Sequence, residues 1–391
     1  MRHPRTRPLS AKLCRWIGDE YVGEAIVDRT LRIGVIGLRR GKGLAAACRA
    51  VGGAEVTALY DIDAAVVAGL ANELGAEPFT ELAAFLASDI DIVAVASPIP
   101  HHAEQSIAAL NAGKHVLCEV TACETVDEAR GVVAAANVAP GIFMLAENVN
   151  YYDEIEVVKR LADAGRFGQI YYGEGDYVHD LEGLWYDTAG NRTWRGAGHM
   201  GVYGTHGLGP LLYISGDRVT TVRAIGVAQE VVRADLQFPT MHLVEMTTDN
   251  GAVFRTRVDI MSPRPLESTT FHLIQGQNGS YESARGFGDC AKFWLRDEHG
   301  VSRNNHASAW RPLREEYERI IPERANAVAV TGGHGTAEFW MLRDFFRAIR
   351  DGLSSPIDQH RGFDISLPCI LAVESAKRGG EVIDVPDTRT W

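Results

Sequence analysis

A glycine-rich turn in the first third of the chain has the residue types that hold a pyrophosphate. Gly37 and Gly41 follow an apolar run at 31–36, and their lack of side chains lets backbone N–H groups approach phosphate oxygens closely. A strict GxGxxG pattern is absent, because Arg39 and Lys42 occupy the positions of the second and third glycines. The turn is still predicted to bind a dinucleotide, through Gly37, Leu38, Arg39, Arg40 and Gly41.

An acidic residue after the second apolar run bears on which dinucleotide is bound. Asp61 lies 24 residues after Gly37, where a carboxylate can accept hydrogen bonds from the adenosine ribose hydroxyls and repel a 2′-phosphate. The sequence therefore favours NAD over NADP, although Arg39, Arg40 and Lys42 could instead hold a 2′-phosphate. The alternative hypothesis is that the glycines form an ordinary turn and that Asp61 caps the next helix.

Alternating polar residues on a predicted strand could act on one ligand. Tyr177 and His179 are two residues apart, so their side chains face the same side of a strand, whereas that of Asp180 faces the other side. Tyr177 could equally pack on the sheet. His101 and His102 raise the alternative of a metal site with His179 and Asp180, but adjacent histidines cannot easily share one tetrahedral site. No metal is expected.

Short apolar runs alternate with helical patterns between residues 31 and 148. Strands are predicted at 31–36, 55–60, 92–96, 115–119 and 142–146. Helices are predicted at 63–74 and 103–110, and a third begins at a capping box of Thr125 and Glu128. This βαβ pattern predicts an α/β fold with a doubly wound parallel sheet, a Rossmann domain at 31–148 that follows an N-terminal extension at 1–30.

The pattern changes after residue 148 and predicts an α+β domain at 149–391 with a large, mostly antiparallel sheet. Strands are expected at 169–179, 219–227, 242–248, 252–260 and 270–275, with hairpin signals at Asn250-Gly251 and Asn278-Gly279. Helices are expected at 153–164 and 338–350. This domain should bind the substrate, and the open face of its sheet should form a homo-oligomer, a dimer or a tetramer.

Composition limits the partners and the location. The 391 residues are 46% hydrophobic and carry a formal net charge of -12, so nucleic acid is not an expected partner. Six cysteines without a CxxC pair favour a reducing cytoplasm. No apolar run has the length of a signal peptide or a membrane span, so export and membrane insertion are not expected. A small molecule is the expected ligand.

Two runs, SPIPHHAE at 97–104 and AGKHVLCE at 112–119, resemble the Gfo/Idh/MocA oxidoreductases. In that family a lysine and a proline normally follow, and the lysine helps to activate the substrate hydroxyl; here Val120 and Thr121 replace them. The family's active-site histidine corresponds to His206, and Val202 replaces an aspartate four residues earlier. The resemblance implies further cofactor contacts from Ser97, Pro98, His102, Glu119 and Asn148.

A branch of that family, which includes NAD-dependent α-N-acetylgalactosaminidases, also has valine after the glutamate. The resemblance to this branch covers residues 31–387 and is carried by AEN at 146–148, GEGDYVHD at 173–180, THGLGP at 205–210, GDR at 216–218 and GGHG at 332–335. It implies NAD as the cofactor and a sugar or glycoside as the substrate. It also implies that Tyr177 removes a proton beside a transient ketone.

Oxidation of a sugar hydroxyl needs a hydride acceptor on one side of the carbon and a base for the hydroxyl proton. With the lysine absent, the candidate bases are His206, Tyr177 and His179, and His206 is favoured because histidine titrates near neutral pH. A structural role remains the alternative for each. Contacts to the substrate are expected from Val120, Trp194, Arg195, Thr205 and His334, of which His334 could instead cap the late helix.

Three functions remain open at this point. The leading prediction is a NAD-dependent dehydrogenase that oxidises a ring hydroxyl of a sugar or glycoside, with carbon 3 as the expected position. The alternative is a glycosidase or lyase that oxidises the same carbon transiently, with no net redox change. A third hypothesis, motivated by Val120 and Val202, is a non-catalytic dinucleotide-binding sensor. Accumulation of NADH with substrate would distinguish the first from the second.

Overall fold

Two β-sheets organise the chain in this computed structural model, which describes residues 29–187, 189–197, 200–232, 238–265, 269–299, 309–324 and 335–391. The first sheet contains β1 (Leu31–Ile36), β2 (Ala54–Tyr60), β3 (Glu77–Phe79), β4 (Ile92–Val95), β5 (His115–Cys118) and β6 (Phe143–Leu145). All pairs are parallel, in the order β3-β2-β1-β4-β5-β6. Ligands bind such sheets at the carboxyl ends of the strands, where the order reverses between β1 and β4. The predicted Rossmann-like sheet is confirmed.

Helices cover both faces of this sheet, and the central strand β4 is accordingly a continuous, fully buried apolar run. They are α1 (Leu38–Val51), α2 (Ala64–Leu74), α3 (Leu82–Ala87), α4 (His102–Asn111) and α5 (Val126–Val138). The capping box of Thr125 and Glu128 begins α5, as predicted. Asp63, and not Asp61, caps α2 by accepting the N–H groups of Ala65 and Val66. The alternative role of Asp61 as a helix cap is therefore wrong.

Within the described residues the second sheet has nine strands, of which only β7 and β10 pair in parallel. Its strands are β7 (Ile170–Val178), β8 (Val219–Gly226), β9 (Met241–Thr248), β10 (Val253–Asp259), β11 (Thr270–Gly276), β12 (Gly279–Glu282), β13 (Lys292–Leu295), β14 (Arg311–Pro312) and β15 (Ile383–Asp384). They lie in the order β14-β13-β12-β11-β7-β10-β9-β8-β15. The mostly antiparallel sheet and the two hairpins, β9–β10 and β11–β12, agree with the sequence.

The helices of the second half lie mainly on one face of this sheet. They are α6 (Asp153–Asp163), α7 (Trp194–Ala197), α8 (Thr205–Ser215), α9 (Gln229–Val232), α10 (Arg296–His299), α11 (Tyr317–Ile320), α12 (Thr336–Asp351) and α13 (Gln359–Lys377). Helix α8 packs on β7 and α13 packs on β8, while α12 crosses over to contact α1. The other face of β8 to β10 is left exposed.

Several predicted strands extend one or two residues beyond the observed ones, because ladder hydrogen bonding ends before the apolar run does. The predicted extension at 1–30 lies almost entirely outside the described residues, as does His334. Within the described part of the chain, no helix combines the length and the apolar character needed to cross a bilayer. The cytoplasmic location stays a prediction.

Candidate active site

His206 lies in the first turn of α8 with its imidazole against a fully buried carboxylate. Nδ1 of His206 is 2.7 Å from Oε1 of Glu147, and only 7% of the histidine is exposed. Glu147 follows β6 after one intervening residue, Ala146, and the same oxygen accepts the N–H of Val149. Burial disfavours a charged imidazole, but the Glu147 carboxylate outweighs burial, so the pKa of His206 is raised. The two residues form an acid–base dyad.

Glycines allow α8 to approach both β7 and Glu147. A Cβ on Gly175 of β7 would lie 2.0 Å from the carbonyl oxygen of Gly207, and a Cβ on Gly209 would lie 2.7 Å from Cγ of Glu147. Any larger residue at these positions would push the helix away from the strand or from the carboxylate. The glycine-rich run around His206 is therefore what sets its distance from Glu147.

The backbone of His206 is held from strand β11. Nε2 of His272 lies 2.9 Å from the carbonyl oxygen of His206. Burial lowers the pKa of His272 to about 4, so its imidazole is neutral near pH 7 and donates its N–H to that carbonyl. His272 therefore holds the backbone of His206 in place.

Tyr177 lies at the centre of an aromatic cluster beside the dyad. Its ring centroid is 5.1 Å from that of His206 and 5.9 Å from those of both Tyr203 and His179. Tyr177 and His179 thus lie on the same side of the chain, while Asp180 is exposed. Burial and Tyr203 raise the pKa of Tyr177, and the nearby cation Arg195 opposes this rise.

Arg195 and Trp194 connect the predicted substrate residues to this cluster. The guanidinium of Arg195 lies 4.4 Å above the Trp194 ring and hydrogen-bonds the phenol of Tyr203. Thr205, at the start of α8, is fully buried, and its Oγ1 has no hydrogen-bond partner within the described ranges. Arg195 therefore provides a hydrogen-bond donor beside Tyr203, and Thr205 provides an unsatisfied hydroxyl in the residue before His206.

The glycine-rich turn closes tightly against the end of β4. Gly37 has φ 80°, and a Cβ there would lie 2.4 Å from the backbone N of Ser97, so only glycine fits. The N-cap residue of α1 is Gly37 itself, which has no side chain to cap the helix. The N–H of Leu38 donates to the carboxylate of Asp61 at 2.9 Å, which places that acid at the turn. The backbone N–H groups of this turn and the carboxylate of Asp61 therefore lie close together, at the carboxyl ends of β1 and β4.

Arg40 ties the same turn to the rest of the site instead of projecting away. Its Nη2 lies 2.7 Å from Glu119, which follows β5, and also pairs with the fully buried Glu338 of α12. Burial raises the pKa of Glu119, and Arg40 opposes that rise. Arg40 therefore pairs with two carboxylates, the partly buried Glu119 and the fully buried Glu338, whereas Arg39 is exposed.

Comparison with known families assigns the two regions separately. Residues 31–147 match the family described as "Oxidoreductase family, NAD-binding Rossmann fold". Residues 151–390, more than half of the chain, match the family described as "Glycosyl hydrolase 109, C-terminal domain". The chain belongs to the glycosyl hydrolase 109 family. Its predicted likeness to Gfo/Idh/MocA oxidoreductases and to the glycosidase branch is confirmed.

Relatives of this glycosyl hydrolase 109 chain are sugar-active proteins by name. A glycosyl hydrolase family 109 protein of Saccharopolyspora erythraea is 29% identical over 95% of this chain and 86% of its own length. An alpha-N-acetylgalactosaminidase of Shewanella oneidensis is 28% identical over 76% of this chain and 69% of its own length.

Solved structures with the same fold include sugar dehydrogenases. Levoglucosan dehydrogenase in complex with NADH and levoglucosan aligns with a TM-score of 0.75 at 22% identity, over 91% of this chain and 99% of that one. The WlbA dehydrogenase of Bordetella pertussis in complex with NADH and UDP-GlcNAcA aligns with a TM-score of 0.73 at 20% identity, over 92% and 99%. At these identities the likeness establishes the shared fold.

The described residues fit NAD, the cofactor of this Rossmann domain. The narrow turn at Gly37 can receive the pyrophosphate, and Asp61 lies where ribose hydroxyls would bind. Oδ1 of Asn148, Oε2 of Glu147 and Oε2 of Glu338 are buried without a partner among the described residues. Buried acceptors of this kind need donors, which a ribose, a carboxamide or a sugar can provide.

His102 lies inside the protein beside this cleft. It is 1% exposed, and its two ring nitrogens lie 2.7 Å from the carbonyl oxygen of Ser97 and 2.8 Å from that of Thr121. The hydroxyl of Thr121 donates to the carbonyl oxygen of Val202. His102 therefore holds the loops after β4 and β5, and Thr121 joins them to the segment that carries Tyr203. The direct contacts of His102 and Pro98 with the cofactor stay predictions, and so does the contact of the buried Val120 with the substrate.

Sequence analysis missed three residues of the site as functional groups: Glu147, Tyr203 and Glu338. Glu147 could have been found, because it directly follows a predicted strand at the carboxyl edge of the sheet. Tyr203 lies in a short 3₁₀ turn without any periodic signal, and Glu338 lies on an amphipathic helix where a polar residue is ordinarily exposed. Only the fold brings the last two to the site.

Proposed function

We propose that this protein cleaves a glycoside through transient oxidation of the sugar, so that its NAD is restored in each turnover. The observation that carries the proposal is a pair of neighbouring acid–base groups, the His206–Glu147 dyad and Tyr177, whose ring lies 5.1 Å from that of His206. Simple oxidation of an alcohol needs one base. A second base is required when a C–H bond beside the ketone is also broken.

Each group has one proton to move. Neutral His206 accepts the proton of the ring hydroxyl, expected at carbon 3, and Glu147 stabilises the imidazolium that forms. NAD held in this cleft would supply the redox chemistry, as a reversible acceptor of hydride. The ketone acidifies the hydrogen on carbon 2, so Tyr177 removes it as a proton. At the same time the bond from carbon 1 to the aglycone oxygen breaks. The aglycone takes a proton from water, which leaves hydroxide. The proton on Tyr177 exchanges with solvent while the aglycone leaves. Hydroxide then adds to carbon 1, Tyr177 protonates carbon 2, and His206 returns a proton to the oxygen on carbon 3.

Tyr177 must lose its proton before it can act as a base, and its position disfavours that loss. Burial raises the pKa of Tyr177, and Arg195 counteracts part of this rise. We therefore assign to Arg195 the stabilisation of the tyrosinate. His179, on the same side as Tyr177, is placed to bind a substrate hydroxyl.

The test follows aglycone release and cofactor absorbance together in D₂O. A panel of α- and β-linked hexosides and N-acetylhexosaminides with a chromogenic aglycone is incubated with the purified protein. We expect released aglycone, no growth of the NADH band beyond the enzyme concentration, and one deuterium at carbon 2 of the product by mass spectrometry. Continuous NADH formation without cleavage would contradict the proposal, and silence across the panel with NAD bound would favour the sensor.

Substitution of Tyr177 separates the two half-reactions. Tyr177→Phe should abolish aglycone release and deuterium incorporation while a single-turnover rise of the NADH band persists. Tyr171→Phe, a half-exposed tyrosine on the same strand, is the matched control and should behave as wild type. Loss of the single-turnover signal in Tyr177→Phe would show that this tyrosine acts in oxidation instead.

A net dehydrogenase is the second candidate. The His206–Glu147 dyad alone suffices to oxidise a ring hydroxyl, and a sugar dehydrogenase has the same fold. This candidate predicts that added NAD is consumed stoichiometrically with substrate, whereas the glycosidase turns over without added NAD once it is loaded.

We also propose that the exposed sheet face joins two copies of the chain. Ile225, Leu243 and Val253 lie on adjacent strands of this face and are 70%, 41% and 44% exposed. Apolar surface of this kind is stabilised by burial in an interface. Sedimentation should show a dimer or tetramer that Leu243→Glu dissociates, and a monomeric wild-type protein would exclude this interface.

A further inference from the structure

A polar cavity lies on the open face of the second sheet, on the side of β7 opposite to Tyr177. Its volume is about 190 Å³. It is lined by Asp176, Val178, Arg257, Arg264, Thr269, Thr270, Phe271 and Arg285. Engineered cavities of ~150 Å³ already hold benzene, so this one has room for a ligand of several heavy atoms. The catalytic groups described above take no part in it.

Positive charge is concentrated in this cavity, although the whole chain carries a formal net charge of -12. Arg257 pairs with Asp176 through one nitrogen, Nη2, at 3.0 Å from Oδ2. The guanidinium of Arg285 stacks 3.5 Å above the ring of Phe271, and this geometry leaves its in-plane N–H groups directed sideways. Three guanidinium groups, those of Arg257, Arg264 and Arg285, and one carboxylate, that of Asp176, therefore line the cavity, and Glu174 is a further carboxylate near Arg285.

Two buried atoms at this cavity lack hydrogen bonds within the part of the chain that the structure describes. They are Nε of Arg257, a donor, and Oδ1 of Asp176, an acceptor. Asp176 is 4% exposed, and burial raises the pKa of its carboxyl in spite of Arg257. A ligand that satisfies both atoms must offer an anionic acceptor to the arginine and a hydroxyl donor to the carboxylate.

The loop that carries Arg285 is fixed. The N–H of Arg285 donates to the carboxylate of Asp289 at 3.0 Å, and the same carboxylate pairs with Lys292 of β13. Arg257 is fixed by its place on β10, directly opposite Asp176 of β7. The cationic groups are therefore preorganised, which reduces the entropy lost when an anion binds.

We propose that this cavity is a second ligand site, for a small hydroxylated anion such as a sugar phosphate or a sugar acid. The anionic group lies between Arg257 and Arg285, and a hydroxyl donates to Oδ1 of Asp176. Its position next to Leu243, which pairs with Arg257 across β9 and β10, places it at the edge of the proposed interface between copies.

Calorimetric titration of the full chain, saturated with NAD and at constant ionic strength, tests the site. The probes are glucose 6-phosphate and galacturonate, with galactose as the neutral control. We expect saturable binding of both anions, weakened about 10-fold or more in Arg285→Gln because a charge-assisted hydrogen bond is lost. Arg223→Gln, which removes an arginine paired with Glu245 on the same face, is the matched control and should bind as wild type.

Three results would overturn the proposal. The first is no saturation by either anion up to about 10 mM. The second is equal affinity in Arg285→Gln, which would place the anion elsewhere, as in the substrate cleft. The third is that Arg285→Gln dissociates an oligomer while the wild-type protein binds neither probe, since the cavity would then receive a carboxylate of a second copy.

Discussion

Replacement of Glu147 with glutamine removes the charge beside His206 and keeps the size of the side chain. Glu147 is fully buried, and its Oε1 lies 2.7 Å from Nδ1 of His206. Its carboxylate is what raises the pKa of that imidazole against the effect of burial. A hydrogen bond to a charged group contributes about 1.5–3 kcal/mol. At 1.36 kcal/mol per pKa unit, the pKa of His206 should fall by about one to two units in Glu147→Gln.

The activity follows from the protonation state that the reaction needs. His206 acts as a base in its neutral form, so kcat/KM rises with pH through the pKa of His206 in the free enzyme. In Glu147→Gln this rise should move to lower pH by about one to two units. The plateau of kcat/KM at high pH should fall by about 10- to 100-fold, because the imidazolium formed during oxidation loses the same 1.5–3 kcal/mol of stabilisation.

The assay is the pH profile of single-turnover cofactor reduction with a reactive glycoside. Glu174→Gln, which removes a carboxylate paired with Arg255 on the open sheet face, is the control and should leave the profile unchanged. An acid limb that stays in place, or that moves to higher pH, would refute the assignment of the dyad. A single cooperative thermal transition at pH 8 would show that the variant is folded.

The raised pKa of His206 also has a consequence for stability. Its stabilisation is fully present below the unfolded pKa of about 6.5 and is lost as pH rises through the folded value. Glu147→Gln should therefore reduce the free energy of unfolding more at pH 6 than at pH 9, which urea titrations at the two pH values can measure. An equal reduction of the free energy of unfolding at pH 6 and pH 9 would mean that the ionisation of His206 does not cause the loss of stability.

Three further substitutions test the cofactor side of the cleft. Arg40→Gln leaves Glu338 buried without its cation and should lower the free energy of unfolding by about 3 kcal/mol in urea titrations. Asp61→Asn should weaken NAD binding about 10-fold and reduce the preference for NAD over NADP, as measured by fluorescence titration with each cofactor. Gly37→Ala should abolish NAD binding, because the new Cβ would lie 2.4 Å from a backbone atom, whereas Gly69→Ala in α2, with open space around it, should bind normally.

The fold was predictable because its signals are local. The apolar runs at β1 and β4, the capping box of Thr125 and the hairpin glycine Gly251 each specify one element from a few neighbouring residues. Short edge strands such as β3 and β14 were not predicted, because runs of two or three residues carry no period. Their pairing is decided by the strand beside them.

The site was predictable only where motif and fold coincide. His206 and Tyr177 were chosen from motifs, and both lie in the cluster, but the partner of His206 is 59 residues away in the chain. The partner of Arg40 on α12 is 298 residues away, so an arginine that suggested phosphate binding in the sequence is paired with buried carboxylates in the structure. Pairings across such separations depend on how the two sheets meet, which no local pattern encodes.

The charge balance of the site helps to explain why a redox-neutral cycle suits it. Val120 and Val202 remove one cation and one carboxylate that the family usually has, so these two changes cancel in charge. Glu119 and Glu338 share one cation, Arg40, and Glu147 pairs with His206, which acts as a neutral base. A buried excess of negative charge favours a cationic ligand over a neutral one of the same shape. The oxidised nicotinamide ring is cationic and the reduced ring is neutral. The site is therefore expected to favour the oxidised cofactor, the form in which such a cycle must begin and end.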